Sequence, residues 1–254
     1  MSDIKATVQE QFSKVAENYR TSQVHASGAD LERIATIVQD YQAATVLDLG
    51  CGAGHVSLAV APWSKQVVAY DLTPQMLEQV ERLAHERQLS NIVTRQGDVE
   101  QLPFENQSFE IVLSRYSAHH WPNPQRALQE CLRVLKPGGL FLLSDIVAPE
   151  EPGYDTFLQS IELLRDHSHV RDHSISQWQA MLAQHGLSAT VLMTWQLPLN
   201  FQAWVTRMAT PQAYVQIIKQ LFDSAPTDVR QAFQLDTEYN FAIPGALFEA
   251  RKCG

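Results

Sequence analysis

The 254 residues have the composition of a soluble globular protein, with 45% hydrophobic and 19% charged residues and no apolar run as long as a membrane helix. A net charge of −9 without a Lys/Arg-rich run argues against a nucleic-acid partner, which normally meets a basic face. The polar N-terminus lacks a signal core and the three cysteines form no metal-ligand pattern, so we expect a cytoplasmic protein, monomeric or homodimeric, without a metal.

Two helices are predicted ahead of the first strand. Apolar residues recur at three- and four-residue spacings over residues 5–17, which indicates an amphipathic helix. The polar stretch 18–25 breaks this pattern, and a second apolar stripe indicates another helix over residues 27–41. We expect residues 1–42 to form an N-terminal helical flap that lies on the main fold.

A glycine-rich turn follows the first predicted strand. The strand covers residues 46–49, and Gly50, Gly52 and Gly54 then remove the side chains where the chain must reverse. Backbone amides at the start of the next helix would face a ligand there, and Asp48 places a carboxylate beside the turn. The stretch therefore predicts a strand, a tight ligand-binding turn and a helix.

Four more strands alternate with helices in this half of the chain. The strands are predicted over 67–70, 91–94, 109–114 and 140–145, and the helices over 55–63, 73–88 and 125–135. Thr73 is the expected N-cap of the second of these helices. Polar residues follow each strand, and Asp71, Asp98 and Asp145 are the acids among them. The alternation predicts an α/β fold with a doubly wound, mostly parallel sheet, which binds ligands at its carboxyl edge within a core over residues 43–148.

The regular alternation stops after this core. Helices are predicted over 154–166, 176–185, 201–208, 211–222 and 227–235, with strands over 187–197 and 241–250. The sheet would then have seven strands, and helices between the last two would form a lid over the carboxyl edge. We expect a lid insertion and helix over residues 149–186, and the final strands with inserted lid helices over residues 187–254.

Four segments together resemble the motifs of class I S-adenosylmethionine-dependent methyltransferases. They are 46–54, Tyr70-Asp71, Gly97-Asp98-Val99 and 135–139. The resemblance extends over nearly the whole chain and is strongest to the small-molecule branch, which includes ubiquinone- and menaquinone-biosynthesis enzymes and YafE-type proteins. It implies the Rossmann-like methyltransferase fold with S-adenosyl-L-methionine as cofactor and S-adenosyl-L-homocysteine as product.

The resemblance also implies roles for individual residues in cofactor binding. Asp48 and the backbone of 50–54 would lie under the methionine part, while Asp71 would accept hydrogen bonds from both ribose hydroxyls. Asp98 would accept one from the adenine amino group. The complete set expected to bind the cofactor is Tyr19, Asp48, Gly50, Cys51, Gly52, Gly54, Asp71, Leu72, Met76, Gly97, Asp98, Val99, Ser114 and Arg115.

Methyl transfer is an in-line displacement, so the protein mainly aligns the acceptor with the methyl group and excludes water. A base is needed only if the acceptor must lose a proton. His119 and His120, just after the fourth strand, are the candidate catalytic residues. The residues that could contact the substrate are His25, His120, Asp145, Arg165 and Arg171.

Two features of the second half allow more than one interpretation. The segment 165–173, rich in His, Asp and Arg, is interpreted as a solvated helix end and loop; a metal site, or an arginine that pairs with an anionic or carbonyl-bearing substrate, are the alternatives. Trp178, Trp195 and Trp204 are interpreted as core residues of the lid, with an aromatic substrate pocket as the alternative.

The predicted function is methyl transfer from S-adenosyl-L-methionine to O, C or N of a small molecule beneath the lid. The leading alternative is methylation of a carboxylate on a carrier-bound acyl chain. A nicotinamide oxidoreductase would require Gly-x-Gly-x-x-Gly, and the third glycine here comes one residue early. A cofactor-binding protein without turnover is the third alternative.

Overall fold

A single seven-stranded sheet organises the chain. The computed structural model describes residues 3–20, 26–41 and 45–252. The strands are β1 (Thr45–Leu49), β2 (Gln66–Asp71), β3 (Ile92–Gln96), β4 (Phe109–Arg115), β5 (Leu135–Ile146), β6 (Ala189–Leu199) and β7 (Phe241–Arg251). They lie in the order β3-β2-β1-β4-β5-β7-β6, and β7 runs antiparallel to both of its neighbours while the other pairs are parallel. The predicted doubly wound α/β fold is confirmed.

Ten helices of the described residues connect or cover these strands. They are α1 (Asp3–Arg20), α2 (Ala29–Tyr41), α3 (His55–Val60), α4 (Pro74–Glu86), α5 (Pro124–Val134), α6 (Pro152–Arg165), α7 (Ile175–Gln184), α8 (Phe201–Arg207), α9 (Gln212–Asp223) and α10 (Thr227–Ala232). Short 3₁₀ segments occupy Ala61–Trp63 and Ala118–His120. These elements match the predicted ones closely, with small differences at their ends.

Two of those differences have clear causes. The helix α1 continues three residues past its predicted end because Asn18 and Tyr19 contact the end of α8: the Asn18 amide donates to the Arg207 carbonyl at 3.2 Å, and the Tyr19 hydroxyl lies 3.0 Å from the Met208 sulfur. The strand β5 begins five residues early because Leu135 already pairs with Phe109 of β4. Local polarity and glycine content could not show these long-range partners.

Alternate residues of the central strands face opposite sides of the sheet. Leu47 and Val112 belong to a core cluster with α5 and α7, whereas Val46, Ile111 and Leu113 belong to a second cluster with α2 and α3. Because both faces are covered, the strands are apolar on both sides, as is typical of parallel sheets. Burial of these two faces fixes the carboxyl ends of β1, β2 and β4 at one edge.

A third apolar cluster joins the lid to the sheet. It combines residues of α6, α8, α9 and α10 with the ends of β5, β6 and β7, and its largest side chains include Phe201, Trp204, Phe222 and Phe241. Trp204 therefore packs in the lid core as predicted. Trp178 instead packs in the sheet core, and Trp195 lies partly buried against the opposite face of the sheet. The two predicted lid segments thus share one core, and the boundary drawn between them at residue 187 stays a prediction.

A buried ion pair holds α2 to the carboxyl ends of β4 and β5. The Arg115 Nε and Nη2 atoms donate to the two Asp30 carboxylate oxygens at 2.6 and 3.1 Å, and both side chains are 3% exposed. The Ser144 hydroxyl donates to the same carboxylate at 2.8 Å. Loss of one partner of such a buried ion pair strongly destabilises the folded protein, because the other charge stays in the interior without its partner.

We expect Asp30→Asn to lower the free energy of unfolding by about 3 kcal/mol, because it leaves a buried guanidinium without its carboxylate. Urea denaturation followed by tryptophan fluorescence would measure the loss. The control is Glu10→Gln, which breaks the exposed pair with Lys14 and should leave the denaturation midpoint unchanged. A loss below about 1 kcal/mol for Asp30→Asn would mean that the pair contributes no more than an exposed one.

Candidate active site

A cleft of about 920 Å³, including space open to solvent, lies at the carboxyl edge of the sheet beneath α1. We call it the first cavity. Its walls come from α1, from the turn after β1 and from the loops after β2, β3 and β4. It is lined by these residues of the predicted cofactor set: Tyr19, Gly50, Cys51, Gly52, Asp71, Leu72, Met76, Gly97, Asp98, Val99 and Arg115.

The turn after β1 adopts a backbone that favours glycine. Gly50 and Gly52 have φ angles of +62° and +52°, in the left-handed region. A Cβ atom on Gly50 would lie 1.8 Å from the Ser117 hydroxyl, so no side chain fits there. A Cβ atom on Gly52 would meet nothing within 4 Å, because that position faces open space in the first cavity. Bare backbone is thus exposed to any ligand that enters.

The Asp71 carboxylate is held in place by two backbone amides. The Gly52 amide donates to Oδ2 at 2.9 Å and the Thr73 amide donates to Oδ1 at 2.8 Å. Burial raises the pKa of Asp71, and these amides oppose the rise. Thr73 stands at the N-cap position of α4 as predicted, but its side chain makes no capping hydrogen bond to the helix. Each carboxylate oxygen retains capacity to accept a second hydrogen bond.

The Asp98 carboxylate at the end of the next loop has partners of its own. Oδ1 accepts from the Glu100 amide at 2.9 Å, and Oδ2 lies 2.6 Å from the Lys5 Nζ atom of α1. Lys5 also pairs with Glu100 at 2.7 Å. The sequence analysis missed Lys5, because a single lysine on an amphipathic helix has no local pattern that distinguishes it. Its ion pairs attach the start of α1 to this end of the first cavity.

Three residues of the predicted cofactor set lie outside the cavity lining. The Asp48 side chain is 1% exposed and accepts from the Ser57 hydroxyl at 2.6 Å, and burial raises its pKa to about 7 against the effect of that bond. The Ser114 hydroxyl donates to the Leu49 carbonyl at 2.9 Å. Gly54 allows α3 to approach α4, since a Cβ atom there would lie 2.8 Å from the Val80 side chain. These three residues therefore contact the core next to the turn after β1 and do not face the first cavity.

A second cavity of about 530 Å³, again including space open to solvent, adjoins the first under the lid. Tyr19, Tyr116 and His120 line both cavities and form the junction between them. The remaining lining combines apolar with charged side chains, namely His119, Ile146, Glu162, Arg165, Asp172, Leu197, Leu199, Trp204, Arg207 and Ile243. Tyr116 has a φ angle of +52°, which is uncommon for a residue with a side chain and marks the loop after β4 as strained.

The two histidines at this loop differ in their protonation. His119 Nδ1 lies 2.7 Å from the Asp145 carboxylate; burial disfavours its charged form, but this carboxylate outweighs burial and raises its pKa to about 9. His120 Nδ1 lies 3.1 Å from the Ser168 carbonyl. Burial and the neighbouring charge of His119 lower the pKa of His120, so at neutral pH His119 is charged and His120 is neutral.

Most of the segment 165–173 is buried or half-buried, with only His167 exposed, which corrects its interpretation as a solvated loop. Asp166 and Asp172 are each 2% exposed, and His169 is 7% exposed. The His119 carbonyl accepts the amides of residues 170 and 171 at 2.9 and 3.0 Å, so this segment supports the histidine loop from outside. Composition alone suggested solvent, but these polar groups have buried partners. Among residues 3–20, 26–41 and 45–252, no group of three His, Cys, Asp or Glu could hold a metal ion.

The predicted substrate residues are separated by the fold. His120 and Arg165 line the second cavity, whereas Asp145 is 1% exposed and lies behind His119. Arg171 pairs with Asp155 at 2.5 Å and lines neither cavity, because its own loop directs it to α6. His25 lies outside the described residues. Tyr116, Glu162 and Arg207 line the second cavity but lacked any local signal in the sequence.

The chemical groups of the first cavity suit an adenosine that carries a charged amino-acid tail. Asp71 offers acceptor oxygens for vicinal hydroxyls, Leu72 and Met76 provide apolar surface for a base, and the turn at Gly52 offers bare backbone.

No helix in the described part of the chain is both long and apolar enough to span a membrane.

Comparisons with known proteins identify the family. Residues 47–143 match the family described as a methyltransferase domain. YcgJ of Bacillus subtilis, described as an uncharacterized methyltransferase, is 38% identical over 229 residues, which are 90% of each chain. YafE of Escherichia coli, an uncharacterized protein, is 43% identical over 203 residues, which are 80% of this chain and 98% of YafE.

Solved structures agree with this assignment. The crystal structure of YcgJ superimposes with a TM-score of 0.85 and covers 89% of this chain and 98% of its own. A putative methyltransferase from Bacillus halodurans, BH2331, superimposes with a TM-score of 0.86 at 36% identity and covers 89% of this chain and all of its own. The chain therefore belongs to the S-adenosylmethionine-dependent methyltransferases, and S-adenosyl-L-methionine is its cofactor.

Proposed function

We propose that the protein transfers the methyl group of S-adenosyl-L-methionine to a small molecule held in the second cavity. The observation that carries this proposal is the junction of the two cavities at Tyr19, Tyr116 and His120. The lid covers the second cavity, and both apolar and charged side chains line it, as in sites that hold small molecules. An acceptor confined there can meet the cofactor only through the junction, which limits its orientation and excludes water.

The first cavity holds the cofactor in this proposal. Asp71 binds the ribose hydroxyls, Asp98 accepts from the adenine amino group, and the backbone at Gly50 and Gly52 lies against the methionine part. The cofactor supplies an electrophilic methyl group on a positively charged sulfur. The chain contributes alignment of the two reactants and a dry site, because α1 covers the first cavity and the ring of its Phe12 lies 4.9 Å from that of His120.

His120 is the group at the junction that can take a proton from the acceptor. The Ser168 carbonyl is a hydrogen-bond acceptor, so it fixes the proton of neutral His120 on Nδ1 and leaves the lone pair on Nε2. The Asp166 carboxylate, 3.9 Å from Nε2, would stabilise the imidazolium once it forms. His119 is already charged at neutral pH and therefore acts as a fixed cation and donor beside the acceptor.

The acceptor's size can be tested directly. We expect purified protein incubated with methyl-tritiated S-adenosyl-L-methionine and a cell extract to label the ultrafiltered, low-mass pool. Label on the retained protein pool, such as an acyl carrier protein, would contradict the proposal and favour the carrier-bound alternative. The Asp71→Ala protein is the control for turnover at this site and should label either pool more weakly at the same cofactor concentration.

Asp71→Ala should weaken binding of S-adenosyl-L-homocysteine by about 1–3 kcal/mol, because the ribose hydroxyls lose a charged acceptor. Isothermal titration calorimetry measures the change, and Asp40→Ala, on the exposed end of α2, is the matched control with unchanged affinity. Unchanged affinity in folded Asp71→Ala protein would show that the ribose is bound elsewhere.

The charge of His119 predicts a dependence of stability on pH. Its pKa is about 9 in the folded protein against an ordinary value of 6.5, so its contribution is full below pH 6.5 and is lost as the pH rises through 9. The stability advantage of wild type over His119→Gln should therefore shrink by about 3 kcal/mol over that window. Urea denaturation of both proteins at each end of this pH window measures the difference in stability. The control is His85→Gln, which replaces an exposed histidine of α4. An advantage that is constant with pH would refute the ion pair with Asp145.

A further inference from the structure

The second cavity concentrates cationic donors from three separate elements. His119 comes from the loop after β4, Arg165 from the end of α6 and Arg207 from the end of α8. Two carboxylates, those of Glu162 and Asp172, line the same space. The partners of each cation therefore determine whether its charge is balanced within the walls of the cavity.

Two of the three cations are balanced by partners in the walls. His119 pairs with Asp145, and the Arg165 Nη1 atom lies 3.3 Å from a Glu162 carboxylate oxygen. The Arg165 Nε atom donates to the Trp204 carbonyl at 3.1 Å, and the guanidinium lies 5.1 Å from the centre of the Trp204 ring. Arg165 is therefore fixed in position with its charge compensated.

Arg207 is different. Within the described residues no carboxylate lies at ion-pair distance from it, and its buried Nε atom has no hydrogen-bond partner there. The Tyr19 hydroxyl gives it a neutral partner only. Burial and the nearby charge of Arg165 lower the pKa of Arg207, which reflects the cost of holding this charge inside. A buried guanidinium is stabilised by an anion that satisfies its planar donors.

Asp172 does not provide that anion. Its carboxylate is 2% exposed, and Oδ2 has no hydrogen-bond partner among the described residues. His169 Nε2 lies 3.7 Å from this carboxylate, but burial and the charge of His119 lower the pKa of His169 to about 2, so it brings no positive charge. Burial also raises the pKa of Asp172 well above its ordinary value. The Glu162 carboxylate also favours the charged form of Arg207, but it is paired with Arg165, so among the described residues Arg207 has no carboxylate at ion-pair distance.

We propose that the acceptor carries a carboxylate, which binds Arg207 in the second cavity beside Arg165. The inference rests on the proposed function, since it names the chemistry of that acceptor. A carboxylate matches the planar fork of a guanidinium with two parallel hydrogen bonds. Leu197, Leu199 and Ile243 also line the second cavity and offer apolar surface to the rest of the acceptor. The substrate class is therefore an organic acid.

The test divides the low-mass pool of the extract by anion exchange at pH 8 before incubation with the protein and methyl-tritiated S-adenosyl-L-methionine. The proposal predicts that the acceptor is retained by the resin, so label forms only from the eluted acids. Label only from the unretained compounds would overturn the carboxylate and leave the small-molecule function standing. Label only on the protein pool would overturn both.

The active acid fraction then serves as the probe for variants. Arg207→Met should raise the apparent KM for this fraction roughly tenfold or more, while the affinity for S-adenosyl-L-homocysteine stays the same and reports an intact fold. Arg207→Lys should recover part of the loss because it restores the charge without the fork. Arg82→Met, on the exposed face of α4, is the control and should leave KM unchanged. An unaltered KM in Arg207→Met would overturn the assignment of the anion to this residue.

Discussion

The active site depends on a small set of backbone hydrogen bonds between the ends of β1 and β2. The Tyr70 carbonyl accepts the Gly50 and Cys51 amides at 2.8 and 3.1 Å, and the Gly52 amide reaches the Asp71 carboxylate at 2.9 Å. These bonds hold the left-handed turn against the neighbouring strand, with its bare backbone toward the first cavity. They also aim a carboxylate into the same space, so one constraint positions both groups.

A layer of buried polar groups stands behind this turn. Asp30 with Arg115 and Asp145 with His119 each balance a charge near the ends of β4 and β5. Because the carboxylates of both pairs are buried, separating either carboxylate from its partner would cost much free energy. The loop between Arg115 and His120 is thereby held at both ends, which explains how it tolerates the strained backbone of Tyr116 at the junction of the two cavities.

Sequence reasoning predicted the fold well because its signals are local. Apolar periodicity and the spacing of glycines depend only on residues close to each other in the sequence. They therefore predict the strands, helices and turns that those same residues form. The same holds for Asp71 and Asp98, which follow their strands directly and line the first cavity.

What sequence reasoning missed depends on distant partners. Lys5, Glu162 and Arg207 enter the cavity walls from helices far apart in the chain. The segment 165–173 looked solvated because its composition is polar, and only the tertiary contacts with residues 119 and 159 explain its burial. Asp48 and Ser114 belong to the predicted cofactor set, but their side chains turn into the core rather than to the cavity. Motifs locate a turn, and packing decides which side chains face the ligand.

A crystal structure of the complex with S-adenosyl-L-homocysteine would test the roles of the two cavities most directly. We expect the ribose against Asp71, the adenine beside Asp98 and Met76, and the sulfur at the junction formed by Tyr19, Tyr116 and His120. The sulfur would then face the second cavity. A ligand bound in the first cavity with its sulfur turned away from this junction would contradict the assignment of the second cavity to the methyl acceptor.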